Sequence, residues 1–182
     1  GVVPCAITRV GDELYLFYAG YNIGYHVRMT IFCGLAVSED NGATFKRVSN
    51  VPVMERTENE YLFRVIHTAI KNDDGWMLYY GAGNHFIQGK KKTLPVYEIQ
   101  LLEVPDLNDL SKEGQKVIGN EGSEYRVGRP YVMKDGDLWR MFFGGGSEEI
   151  TYQLAYAESP DGRNWTRKDE KLNLELSGDG WD

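Results

Sequence analysis

Cysteine, histidine and basic charge are all in short supply in this chain, and each shortage removes a class of function. The 182 residues include two cysteines, Cys5 and Cys33, and three histidines. Two thiols allow one disulfide at most, and their apolar neighbours (Pro4 and Ala6; Phe32 and Gly34) make buried free thiols the expected state. A reducing, cytoplasmic setting is the expectation that follows. No clustered His/Cys spacing supports a metal centre. Gly144-Gly145-Gly146 lacks the Lys-Ser/Thr and the strand-to-helix context of a phosphate loop, so neither metal nor cofactor is expected. Lysine and arginine number 20 against 27 acidic residues, a net charge of −7, whereas a broad nucleic-acid surface needs the opposite balance. The one basic run, Lys90-Lys91-Lys92, reads as a solvated loop. No apolar stretch approaches the roughly 18 residues of a membrane-spanning helix, so neither nucleic acid nor membrane is an expected partner.

What is present in quantity is apolar and aromatic side chain, 42% and 13% of the residues, enough to bury a core in a chain of single-domain size. It is arranged repetitively. The stretch 35-LAVSEDNGATFKR-47 returns as 154-LAYAESPDGRNWTR-167. Each copy is a hairpin signal: an alternating strand leads in, an Asp and a Gly make the turn, and an aromatic opens the return strand. Upstream of each lies a second shared unit, 4-PCAITRVGDELYLFYAG-20 and 130-PYVMKDGDLWRMFFGGG-146, with a third version at 69-AIKNDDGWMLYYGAG-83. Self-similarity at a fixed period marks a radial or solenoid array. Short antiparallel units punctuated by aromatics and glycine read as propeller blades.

The fold expected is therefore all-β, a single domain of β-propeller blades with four antiparallel strands each, at about 1–50, 60–118 and 125–170. Strands are expected near 2–9, 13–19, 32–38 and 44–48, then 64–71, 76–81, 95–104 and 115–118, then 129–134, 137–143, 152–158 and 164–168, with one helical turn within 106–114. This topology sorts the connections onto two faces. Tight turns fall on one; the long loops, roughly 20–31, 49–63, 82–94, 119–128, 144–151 and 169–182, fall on the other. Rigid strands presenting long loops on one rim are the usual setting of a site.

The series GVVP, LYLFYAGYN, GLAVSEDNGATFKR, WMLYYGAG, EYRVGRPYV, LWRMFFGGG, LAYAESPDGRNWTRKDE and SGDGWD resembles the five-bladed β-propeller glycosidases of families 32, 43, 68 and 130. It is most similar to a branch of short single-domain propellers associated with bacterial surface polysaccharide. The resemblance covers essentially the whole chain and rests mostly on blade scaffolding. It implies that this sequence is about three blades of five, with 171–182 leading into a further blade. Gly1, which is not an initiator methionine and follows no leader pattern, agrees with a sequence that continues on its N-terminal side. Blades open at both ends imply self-association or packing against the remaining blades.

The resemblance also implies a carbohydrate partner and either glycosidase-like chemistry or a non-catalytic module that binds carbohydrate or protein. Glycosidic cleavage needs two carboxyl groups, one protonating the leaving oxygen and one acting as nucleophile or base. Related propellers hang such acids from the entries of the innermost strands. The matching positions here are Glu60, Glu124 and Asp182, one per blade boundary, although Glu60-Tyr61 stands where the resembling proteins tend to have Asp-Pro-Tyr. Arg64, Arg126 and Arg129, at strand entries, suit either a bidentate clamp on an anionic substrate group or a role in holding the rim acids. Tyr21, Asn22, Tyr25 and His26 in one loop combine the aromatic and amide groups of a sugar site, or make a plain surface loop. His67 is a candidate for metal or ligand contact or for a hydrogen-bonded core residue.

Overall fold

The computed structural model describes every residue except 151, 175, 176, 179, 181 and 182. It contains twelve strands: β1 (Val2–Val10), β2 (Glu13–Asn22), β3 (Thr30–Ser38), β4 (Lys46–Arg47), β5 (Phe63–Asn72), β6 (Gly75–Gln88), β7 (Thr93–Val104), β8 (Gln115–Ile118), β9 (Arg126–Asp135), β10 (Leu138–Gly146), β11 (Gln153–Ser159) and β12 (Thr166–Arg167). They form three antiparallel meanders of four strands, β1 to β4, β5 to β8 and β9 to β12. All twelve fall where the repeats place them. The expected helical turn within 106–114 is absent; the only helical element among the described residues is a 3-10 turn at Asp169–Lys171. In 106–114, Asp106 and Asp109 instead accept backbone N–H groups two residues on, at 2.8 and 2.9 Å, and so favour non-helical turns.

The duplicated hairpins hold themselves together. Asp40 accepts the Thr44 amide at 2.8 Å while the Ser38 hydroxyl accepts the Gly42 amide at 2.8 Å. In the second copy Asp161 accepts the amides of Arg163 and Asn164, both at 2.8 Å, and Ser159 accepts that of Gly162 at 2.9 Å. The Thr44 hydroxyl and amide hold the Asp40 carboxyl at about 2, and the amides of Asn164 and Arg163 hold that of Asp161 well below the usual aspartate range. Gly42 and Gly162 supply the left-handed backbone the turn needs, with φ of 92° and 74°.

Strand β6 shows how the units stack. Its alternate side chains divide between two cores: Trp76, Leu78 and Tyr80 join Phe17, Cys33 and Ile66 on one face, and Met77 and Tyr79 join Val127, Met141 and Phe143 on the other. A strand buried on both faces must be apolar without interruption, which is why 76-WMLYYGA-82 carries no charge. Burial of each large side chain contributes about 1.5–3 kcal/mol. Polar ties cross the same interfaces. The Thr68 hydroxyl donates to the Pro130 carbonyl at 2.7 Å and accepts from the Val132 amide at 3.1 Å, and the Tyr79 hydroxyl donates to the Gly162 carbonyl at 2.7 Å. Neighbouring units also touch through short parallel pairings, Ile31 and Phe32 with Phe63 and Arg64, and Tyr97 with Arg126.

Candidate functional site

The first strand of each unit carries one residue too many. Strand β1 pairs Pro4 with Tyr18 and then Ala6 with Phe17, leaving Cys5 over. Strand β5 pairs Ile66 with Tyr80 and Thr68 with Tyr79, leaving His67 over. Strand β9 pairs Gly128 with Gly144 and Tyr131 with Phe142, so its extra residue falls at Arg129-Pro130. A bulge bends its strand and re-aims a side chain, and here all three open onto the same space. Cys5, His67 and Arg129 line a cavity of about 560 Å³, together with residues of the long loops such as Arg28, Lys92 and Tyr152. The cavity thus sits at the entries of β1, β5 and β9, on the long-loop side. Arg129 reaches it from a left-handed backbone, φ 55°, a conformation uncommon for a residue with a side chain.

The electrostatics of this cavity run against those of the chain. Arg28, Lys92, Arg126 and Arg129 line it, and no described lining residue is Asp or Glu. None of the four cations has a carboxylate partner among the described residues. The guanidinium of Arg126 stacks on two rings, 4.1 Å from the centroid of Tyr152 and 4.9 Å from that of Tyr125, and Arg129 lies 5.6 Å from the same Tyr152 ring. The Arg126 Nε is buried and has no hydrogen-bond partner among the described residues. Burial, helped by the Arg129 charge, drives the His67 imidazole down to about 4, so it is neutral at pH 7. Burial likewise pushes the Tyr97 hydroxyl up to about 12, opposed by Arg126 and Arg129.

Of the residues singled out from sequence, Tyr21, His67, Arg126 and Arg129 line the cavity. Asn22, Tyr25 and His26 lie outside it and are exposed, with Tyr25 and His26 packed edge to face at 4.9 Å. The expectation that the rim acids face the central depression is corrected for Glu60 and Glu124. Glu60 is buried, accepting from Arg64 Nε at 2.6 Å and from the Tyr80 hydroxyl at 2.7 Å. Arg64 is fully buried too, and donates to the carbonyls of Glu55, Leu110 and Lys112 at 2.5, 3.3 and 2.6 Å. Strand alternation is the reason: Phe63 and Val65 face the cavity, so Arg64 points the other way and takes Glu60 with it. Glu124 turns toward the outer edge of the third unit, where both its oxygens meet Arg167, at 2.8 and 3.2 Å. That pair belongs to a separate cavity of about 140 Å³, which also contains Asp169. Asp182 lies outside the described residues.

Sequence reasoning missed Arg28, Lys92, Tyr97, Tyr125 and Tyr152. Lys92 comes from the basic run read as a solvated loop. That reading holds for exposure, since Lys90, whose ammonium pairs with Glu149 at 2.8 Å, and Lys92 are both exposed, but Lys92 also lines the cavity. Both cysteines are free, Cys5 on the cavity wall and Cys33 in the first core, where burial lifts its thiol to about 12. Among the described residues no group of three or more His, Cys, Asp or Glu side chains is arranged to hold a metal ion. None of the described helical segments is long and apolar enough to cross a membrane.

No family-level sequence model matches the chain. An uncharacterized protein of Mycobacterium tuberculosis is 28% identical over 183 residues, aligned to all of this chain and 60% of its own length. A thermostable family-43 glycoside hydrolase superposes with a TM-score of 0.67 at 17% identity, over 89% of this chain and 52% of its own. Sucrose-6-phosphate hydrolase from Lactobacillus gasseri gives a TM-score of 0.66 at 15% identity, over 90% of this chain and 33% of its own. The fold is thus similar to part of the five-bladed β-propellers of glycoside hydrolases, and each meander is a blade. The chain spans 60% of the length of the curated relatives it matches.

Proposed function

We propose that this chain is the substrate-holding part of a carbohydrate-active propeller and binds a glycan in the cavity at the entries of β1, β5 and β9. The observation that carries the reading is a cavity of about 560 Å³ on the long-loop side of a glycoside-hydrolase-like fold, walled by Tyr21, Tyr97 and Tyr152 and by cationic donors. A concave, largely apolar site with a few convergent polar groups is the general form of a small-molecule site. Tyrosine rings give the C–H faces of a sugar an apolar surface, while guanidinium and hydroxyl groups take its oxygens.

A glycosidase-like activity of the whole protein is the extension of this reading. Because no described lining residue is a carboxylate, the extension assigns the acid pair to parts of the protein other than the described lining. The non-catalytic module remains the second reading, supported by the same absence.

The test is a glycan-array screen followed by calorimetry on the purified protein, alongside a reducing-sugar release assay on every glycan that binds. Binding should be saturable and weakened about tenfold, worth about 1.4 kcal/mol, in Tyr152→Ala. Binding without turnover selects the module; no binding to any glycan removes the proposal.

A further inference from the structure

Resting on that glycan reading, we infer that the cavity selects an acidic sugar, one bearing a carboxylate or a phosphate ester, and that Arg126 and Arg129 take the anion. Of the seven arginines elsewhere in the chain, five find carboxylates among the described residues, and Arg9 and Arg47 do not. Arg56, Arg64, Arg140, Arg163 and Arg167 each pair with one, and several of these are more exposed than Arg126. In a protein with seven more acidic than basic side chains, this cavity gathers four cations that have no carboxylate partner among the described residues. Arg126 is half-buried and Arg28, Lys92 and Arg129 are exposed, so these like charges repel one another with no carboxylate among the described residues to offset the cost. An anionic ligand removes that cost.

The stacking geometry indicates which donors remain free. The guanidinium carbon of Arg126 lies over the rings of both Tyr125 and Tyr152, and that of Arg129 lies over Tyr152. Cation–π contact uses the face of the group; the N–H donors project from its edge, where they form a planar fork suited to two oxygens. Arg126 Nε, buried and without a partner among the described residues, is one such edge donor. Both guanidiniums lie over the one Tyr152 ring, a shared contact that brings them near each other and lowers the ordering cost of binding. Nor does the backbone explain Arg129: at φ 55° a glycine would sit with less strain, so nothing in the local chain geometry calls for a long cationic side chain there.

The experiment is calorimetric titration of the purified protein with a uronic-acid disaccharide, a hexose 6-phosphate and the neutral counterpart of each. The expected result is at least about tenfold tighter binding of one acidic class than of its neutral counterpart, weakening as salt rises from about 50 to about 300 mM. Arg126→Gln and Arg129→Gln should each abolish the preference while leaving the circular dichroism spectrum unchanged. Arg126→Lys, which keeps the charge and loses the fork, should retain part of it. Preference for the uronate points to planar bidentate recognition, and preference for the phosphate ester to a tetrahedral oxyanion; either supports the inference. Equal binding of acidic and neutral sugars, or an undiminished preference in both Gln variants, overturns it and leaves the glycan reading standing. Failure of every sugar to bind overturns both.

Discussion

The Glu60–Arg64–Tyr80 network can be broken by Arg64→Met, which keeps most of the aliphatic stem and deletes the charge. In the intact protein the Arg64 guanidinium is fully buried and binds the Glu60 carboxylate at 2.6 Å, with three backbone carbonyls taking its other donors. Methionine leaves Glu60 with the Tyr80 hydroxyl alone and leaves the carbonyls of Glu55, Leu110 and Lys112 without their donor. Removing one partner of a buried pair costs about 3–5 kcal/mol. For a chain of this size each kcal/mol lowers the melting temperature by roughly 2–4 °C, so a fall of roughly 6–20 °C is expected by thermal circular dichroism.

The loss should also depend on pH. Burial already raises the Glu60 carboxyl above its ordinary range, opposed by Tyr80 and Arg64. Without Arg64 it rises further. A carboxyl with a raised folded pKa binds more protons folded than unfolded, so stability falls as pH climbs from the unfolded value of about 4.3 through the folded one. The deficit of Arg64→Met is therefore smallest near pH 4 and largest at neutral pH, and adding Glu60→Gln should recover part of it at pH 7. A deficit below about 1 kcal/mol in urea unfolding, or one that does not change with pH, would refute the argument.

Three further outcomes are expected. Glu124→Gln removes an ion pair whose partners are 18% and 15% exposed, so it should cost about 1–2 kcal/mol, between the surface and buried cases, and leave sugar binding in the main cavity unchanged; lost binding would place Glu124 in that site after all. His67, driven down to about 4, should show an NMR titration midpoint near that value. Its contribution to stability is then complete above the unfolded pKa of about 6.5 and is lost as pH falls toward 4, and a midpoint above about 6 contradicts this. On the innermost strands, Ile7 and Met133 are 59% and 40% exposed, as expected of apolar positions that pack against another chain or another blade. Light scattering should give a mass above 20.7 kDa that rises with concentration and falls in the double variant Ile7→Lys, Met133→Lys; a constant monomer mass rules the association out.

The strands were legible because the repeats carry their own punctuation: an Asp and a Gly mark a turn whether or not its surroundings are known, and the unbroken apolar run of β6 announces two buried faces. The cavity was less so. Alternation along β1, β5 or β9 predicts which face a side chain takes only until the bulge, which reverses the parity of everything beyond it. No local sequence signal marks Cys5, His67 and Arg129 as equivalent. The acids misled for a related reason. Glu60 beside an aromatic at a blade boundary matches a catalytic pattern, but its carboxylate is taken by Arg64 and by Tyr80, which lies 20 residues away on β6. Arg28 and Lys92 belong to loops whose paths depend on the blades beneath them, so composition alone could not separate a cavity wall from a solvated surface.

The bulges also bear on how such a fold changes over time. A residue in register is tied to the residue across the ladder and to the core behind it, so altering it disturbs both. The extra residue in each bulge has no opposite number on the neighbouring strand. Cys5, His67 and Arg129 can therefore be exchanged with little consequence for the sheet, while each exchange alters the wall of one shared cavity. Three such positions, one per blade, form a compact set of variables through which specificity can drift while the scaffold stays still.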